Sequence, residues 1–152
     1  MLNDPLTEHR KIVLCVDDAK ENRGILNMVL MGAGYSFAGA ASGEECLKIV
    51  SQSTPQLVLL DIEMPGLDGF ETCRRLRQMP QMAKVPIAFL TVRKAGEDVK
   101  KGLASGGNDF IIKPFNNEKL LARVHHWVGQ TKAAPQPPAQ TTMDWDLSSS
   151  KA

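Results

Sequence analysis

Hydrophobic and polar residues fall along this chain in blocks and do not alternate one by one. Short apolar runs occur at residues 11–16, 57–60, 86–90 and 108–112, with a weaker run at 35–40. Such runs read as strands covered on both faces, as in a parallel sheet, because a strand with one wet face would alternate. The segments between them repeat apolar residues at helical spacing. The first puts Ile25, Val29 and Met31 on its expected buried face and stops at Gly34. The second covers 43–51, with Ser42 placed as its N-cap. The third covers 67–78 and is closed by Pro80, which cannot continue a helix. The fourth covers 94–104 and ends at Gly106 and Gly107. The fifth covers 116–128, with Leu120, Leu121, Val124 and Trp127 on one face and Asn116 or Asn117 as cap.

Strands and helices that alternate five times predict an α/β fold with a parallel sheet and right-handed crossovers. This domain is expected over 10–130, preceded by an N-terminal extension at 1–9. Residues 131–152 change character: rich in Pro, Ala and Gln and without periodicity, they read as an extended, disordered tail. Inside it, Met143, Asp144, Trp145, Asp146 and Leu147 form a small acidic and aromatic island. Trp145 reads either as a solvent-exposed tail residue or as part of a docking motif.

Composition acts mainly by exclusion. The chain's 152 residues suffice for one domain. Its 18 basic and 17 acidic side chains leave a net charge of +1, without the basic excess of a nucleic-acid binder. No apolar run has the length to span a bilayer, and the first residues lack the build of a secretion signal. A cytoplasmic protein is expected, with no direct nucleic-acid contact and no membrane insertion. Cys15, Cys46 and Cys73 are scattered, match no metal spacing and read as reduced thiols.

Ligands of an open parallel sheet bind beyond the carboxyl ends of its strands. Asp17 and Asp18 follow the first strand, Asp61 the third, Thr91 the fourth and Lys113 the fifth. Singly, each is as readily a cap or a solvated loop residue; together they place three carboxylates, a hydroxyl and an ammonium on one rim. Three clustered carboxylates repel one another and call for a compensating cation. Mg²⁺ suits such a site, since it takes oxygen ligands, keeps several waters and binds through one or two carboxylates plus a phosphate. A carboxylate can attack phosphorus to form an acyl phosphate, and Lys113 can neutralise the charge of the transferred group.

Val16-Asp17-Asp18, the stretch from Leu59 to Gly69 with Asp61 inside it, Leu90-Thr91, and Lys113-Pro114-Phe115 resemble the signature of bacterial response-regulator receiver domains. The similarity covers about residues 10 to 130 in order. It implies a flavodoxin-like, doubly wound (βα)5 fold with strand order 2-1-3-4-5. It implies Asp61 as phosphoacceptor, served by a phosphohistidine on a sensor histidine kinase or histidine phosphotransfer protein. Asp18 and Asp61 would ligate Mg²⁺ by side chain, Glu63 by its backbone carbonyl, and Asp17 through a metal-bound water. Lys113 would pair with the phosphoryl group, with a cis bond to Pro114. The protein would be a stoichiometric phosphoacceptor, not an enzyme. It would pass phosphate along a relay or bind a downstream protein through the face of its fourth helix, fifth strand and fifth helix. Thr91 and Phe110 would form the switch to that face; Phe110 has no hydroxyl and would act by packing alone. Val92 is larger than the family's usual residue after the Thr. Glu63 and Arg93 flank the site and could pair over the phosphoryl group, so slow self-dephosphorylation is expected.

Two other readings stand beside this one. Haloacid-dehalogenase phosphatases also use Asp, Thr or Ser, Lys and Mg²⁺, but in an Asp-x-Asp pattern; here Glu63 stands at the second position and the Asp pair precedes the nucleophile. Alternatively the chain is the receiver of a larger hybrid kinase, cyclase or transcription factor. No helix-turn-helix or catalytic motif follows residue 129, which favours a single-domain receiver.

Overall fold

The structure, a computed structural model, describes residues 11–92 and 96–129. The N-terminal extension, Arg93, and the tail with its Trp145 island lie outside the described residues. Five strands, β1 (Ile12–Val16), β2 (Ser36–Ala40), β3 (Leu57–Asp61), β4 (Ile87–Thr91) and β5 (Asp109–Ile112), form one sheet in the order β2-β1-β3-β4-β5. Every pairing is parallel. Helices α1 (Lys20–Gly32), α2 (Gly43–Gln52), α3 (Gly69–Arg77), α4 (Gly96–Ser105) and α5 (Asn117–Val128) connect or follow the strands, with a short 3₁₀ turn at Pro80–Met82. This is the architecture expected from the sequence.

Local chemistry sets the boundaries. Ser42 Oγ accepts a bond from the Glu45 amide at the start of α2. Asp68 Oδ1 accepts one from the Glu71 amide, so α3 begins at Gly69 and not at the expected residue 67. Asn116, rather than Asn117, caps α5 through the Lys119 amide. Gly34 follows α1 with a φ of +95°, a conformation that favours glycine. The expected face of α1 needs correction. Ile25 and Met31 are 54% and 52% exposed, whereas Leu26 and Leu30 carry the burial. From Ile25 to Met31 only Asn27 is polar, so the periodicity there does not select a face.

Each strand feeds two layers. Leu14, Val16, Val58, Leu60, Ile87, Phe89 and Phe110 pack toward α2, α3 and α4. Val13, Cys15, Leu57, Leu59, Ala88, Leu90 and Ile111 pack toward α1 and α5, with Trp127 fully buried among them. All three cysteines are free and buried. Beyond the amino ends of β4 and β5, the half-buried Arg77 guanidinium donates to the carbonyls of Met82, Val85 and Gly106 and to Asn108 Oδ1. These bonds tie the β3–β4 and α4–β5 connections together at that end of the sheet. No helix among the described residues is long and apolar enough to cross a membrane.

Candidate functional site

Register brings the carboxyl-end residues together. Val16 pairs with Leu60, so the next residues, Asp17 and Asp61, sit side by side where the strand order reverses between β1 and β3. Asp61 pairs with Leu90 and Thr91 with Ile112, which sets Thr91 and then Lys113 on the same rim. The Lys113 amide donates to the Thr91 carbonyl at 2.7 Å. Oxygens of Asp17, Asp18 and Asp61 lie within 4.8 Å of one another, with Asp17 buried, Asp61 half-buried and Asp18 exposed.

The cluster is polarised by one cation. Lys113 Nζ lies 3.1 Å from Asp17 Oδ2 and 3.8 Å from Asp61 Oδ2. Burial, and then the charge of Asp17, push the Asp61 carboxyl up to about 6, against Lys113 and the amides of Glu63 and Ile62, which favour its anion. Three carboxylates against one ammonium leave a negative, all-oxygen donor set at the mouth of the sheet. That set suits a hard divalent cation and offers no soft ligand.

The surrounding loops frame Asp61. Gly66 adopts a φ of +78° in the β3–α3 loop. A Cβ on Gly69 would stand 2.3 Å from the Asp61 carbonyl oxygen, so glycine lets the start of α3 close against the end of β3. The Lys113–Pro114 bond is cis, as the resemblance implied. Thr91 is buried at the end of β4, and the next residue, Val92, is 59% exposed. Phe110 is 1% exposed, its ring 5.2 Å from that of Phe89, which lies 5.5 Å from Phe70. Glu63 is exposed beside the site, but its expected pairing with Arg93 lies outside the described residues.

Several residues around the site carried no signal in the sequence. Asn22 and Arg23, in the first turns of α1, both donate to Asp17. On the far side of β5, Asp109 accepts from Trp127 Nε1 at 2.8 Å and from Arg123 Nη1 at 3.2 Å. Arg123 Nη1 also donates to the Phe110 carbonyl at 3.0 Å. Only the bond partners give these residues a role.

Comparison with known proteins agrees with this geometry. The family described as response regulator receiver domain matches residues 13–125. The transcriptional regulatory protein AfsQ1 of Streptomyces coelicolor is 41% identical over 112 residues, which is 74% of this chain and 48% of that protein. The DNA-binding response regulator MtrA of Mycobacterium tuberculosis is 41% identical over 115 residues, 76% of this chain and 49% of that protein. The chain thus spans about half the length of the curated relatives it matches. Among solved structures, the chemotaxis response regulator CheY4 of Vibrio cholerae superposes with a TM-score of 0.75 at 32% identity, covering 78% of this chain and 98% of that one. The receiver domain of a sensor histidine kinase from Pseudomonas aeruginosa, solved with a magnesium ion coordinated in its active site cleft, gives 0.74 at 28% identity, covering 79% and 98%.

Proposed function

Given that this chain belongs to the response regulator receiver domain family, we propose that it takes a phosphoryl group onto Asp61 from a phosphohistidine of a sensor histidine kinase or phosphotransfer protein. The observation that carries this reading is the position of Asp61 at the end of β3, flanked by Asp17 and within 3.8 Å of Lys113 Nζ. An Asp61 carboxylate oxygen attacks phosphorus, the phosphorus–nitrogen bond breaks, and the histidine nitrogen leaves with its electron pair. The product is an acyl phosphate on Asp61, and later attack by water restores the carboxylate.

Asp18 and Asp61 would hold Mg²⁺ by side chain, Glu63 by its carbonyl, and Asp17 through a bound water. Bound there, the ion would neutralise phosphoryl and carboxylate charge. Lys113 would swing from Asp17 toward phosphoryl oxygens, and Thr91 would offer its hydroxyl to the same group. The domain turns over no substrate of its own; it is a stoichiometric acceptor in a cytoplasmic relay. Thr91 and Phe110 would carry the change to the face of α4, β5 and α5, where a downstream protein binds. The matched relatives are transcriptional regulators of about twice the matched length, which favours an output in gene control as a second reading; no DNA contact is assigned to residues 11–129 themselves.

The test is incubation with Mg²⁺ and a small phosphodonor, followed by intact mass. Wild type is expected to gain one phosphoryl group and Asp61→Asn none. A gain that persists in the variant rules out Asp61 as acceptor.

A further inference from the structure

The acidic cluster depends on Asp17 being held in one orientation, and the first turns of α1 are built around that residue. Asp17 is 1% exposed. Its amide donates to the Ala40 carbonyl at 3.0 Å, and its carbonyl accepts Arg23 Nη1 at 2.7 Å. Its Oδ1 takes the Ala19 amide at 2.9 Å. Its Oδ2 takes two donors, each at 3.1 Å: the Asn22 side-chain amide and Lys113 Nζ.

We propose that Asn22 is a positioning residue for the phosphoryl-transfer site, which fixes the Asp17 carboxylate for the cation and keeps Lys113 shared between Asp17 and Asp61. The inference rests on the reading of the site as a Mg²⁺-assisted phosphoacceptor. Its physical content is the count of donors on one oxygen. With Asn22 in place, Lys113 is one of two donors to Asp17 Oδ2 and stays near Asp61. Without that amide, Lys113 is the sole side-chain donor to Oδ2, and the carboxylate is free to turn toward it. Both changes weaken the cation's site: the oxygens lose their fixed placement and Lys113 is drawn deeper into the cluster. Hydrogen bonds to charged acceptors are among the stronger ones in proteins. Groups that orient a ligating carboxylate typically change metal affinity by tenfold or more when removed.

Asn22 also lines a cavity of about 390 Å³ with Leu90, Val92, Lys113, Pro114 and Phe115. Its amide therefore stands at the boundary between the acidic cluster and the apolar surface beside it. No other side-chain amide bonds to the acidic cluster among the described residues.

The experiment compares wild type with Asn22→Leu, which keeps the branched shape of the side chain and removes the donor, and with Asn22→Ala. Mg²⁺ alone is titrated by calorimetry, with thermal unfolding in EDTA as the check on folding. Both variants are expected to bind Mg²⁺ about tenfold more weakly. With a small phosphodonor, the Mg²⁺ concentration for half-maximal labelling should rise by the same factor. A purely packing role would move the unfolding temperature and leave Mg²⁺ affinity alone. Binding by Asn22→Leu equal to wild type overturns the proposal, as does a fall in plateau rate at unchanged affinity. Failure of wild type itself to bind Mg²⁺ overturns the underlying metal reading instead, so the two failures are distinct.

Discussion

Asp61 sets reactivity against stability within a single residue. Its carboxyl, ordinarily near 3.8, is pushed up to about 6 by burial and by Asp17. In metal-free protein the native state therefore holds this proton up to about pH 6, while the unfolded chain releases it near 3.8. Between those values the native state binds more protons, so raising the pH favours unfolding. The penalty is complete above about pH 6 and absent below about 3.8. Asp61→Asn mimics the neutral form at every pH. In EDTA at pH 7.5 it is expected to unfold at a higher temperature than wild type, since the penalty is complete there. The gain should shrink steadily as the pH falls from 6 toward 4. Thermal melts followed by circular dichroism across that range measure it, and a gain independent of pH would mean the burial account is wrong.

At the scale of elements, glycines in two helices make opposite demands. Gly24 lies in α1, and a Cβ there would meet nothing within 4 Å. Gly102 lies in α4, and a Cβ there would stand 2.5 Å from Phe110 Cε1 and 3.0 Å from Phe89 Cε2. Alanine at position 24 should stabilise by about 0.5–1 kcal/mol through helix propensity alone. Alanine at position 102 gains the same propensity but must displace two buried rings, and overpacking of that kind costs about 1–3 kcal/mol. The net effect at 102 is a loss of about 1 kcal/mol. Urea midpoints of the two variants should move in opposite directions, and equal movement would remove the close seat assigned to Phe110 under α4. The same elements show what the sequence disclosed. β1, β3, β4 and β5 were readable because both of their faces are covered, whereas β2 is an edge strand with most residues half-buried and a correspondingly weak signal. The face of α1 was misread because Ile25, Met28 and Met31 are apolar yet exposed. Asp17, Asp61, Thr91 and Lys113 were legible because a parallel sheet turns strand ends into a shared rim. Asn22 was not, because an amide one turn into a helix has no meaning until the fold brings Asp17 against it.

Across the whole molecule, β5 is where the two layers meet in consecutive residues. Phe110 points toward α4 and Phe89, while Asp109 points toward α5 and is bonded to Arg123 and Trp127. Arg123 also bonds the Phe110 carbonyl, so the strand that carries the aromatic ring is tied to the opposite layer through its backbone. Burial raises the Asp109 carboxyl, and the Arg123 charge with the Trp127 indole N–H pulls it back toward ionisation. A buried carboxylate so placed is tolerated only while its partners remain. Asp109→Leu removes the carboxylate that faces the Arg123 guanidinium and the indole N–H, and Arg123→Met removes the cation that faces the buried carboxylate; each should cost about 3 kcal/mol, as breakage of buried ion pairs commonly does. The double variant leaves no unpaired charge and should cost well under the roughly 6 kcal/mol sum of the single losses. Urea unfolding of all four proteins completes the cycle. Simple additivity would show that Asp109 and Arg123 act separately. A shortfall of 1 kcal/mol or more would show that Asp109 and Arg123 act as one unit tying β5 to α5.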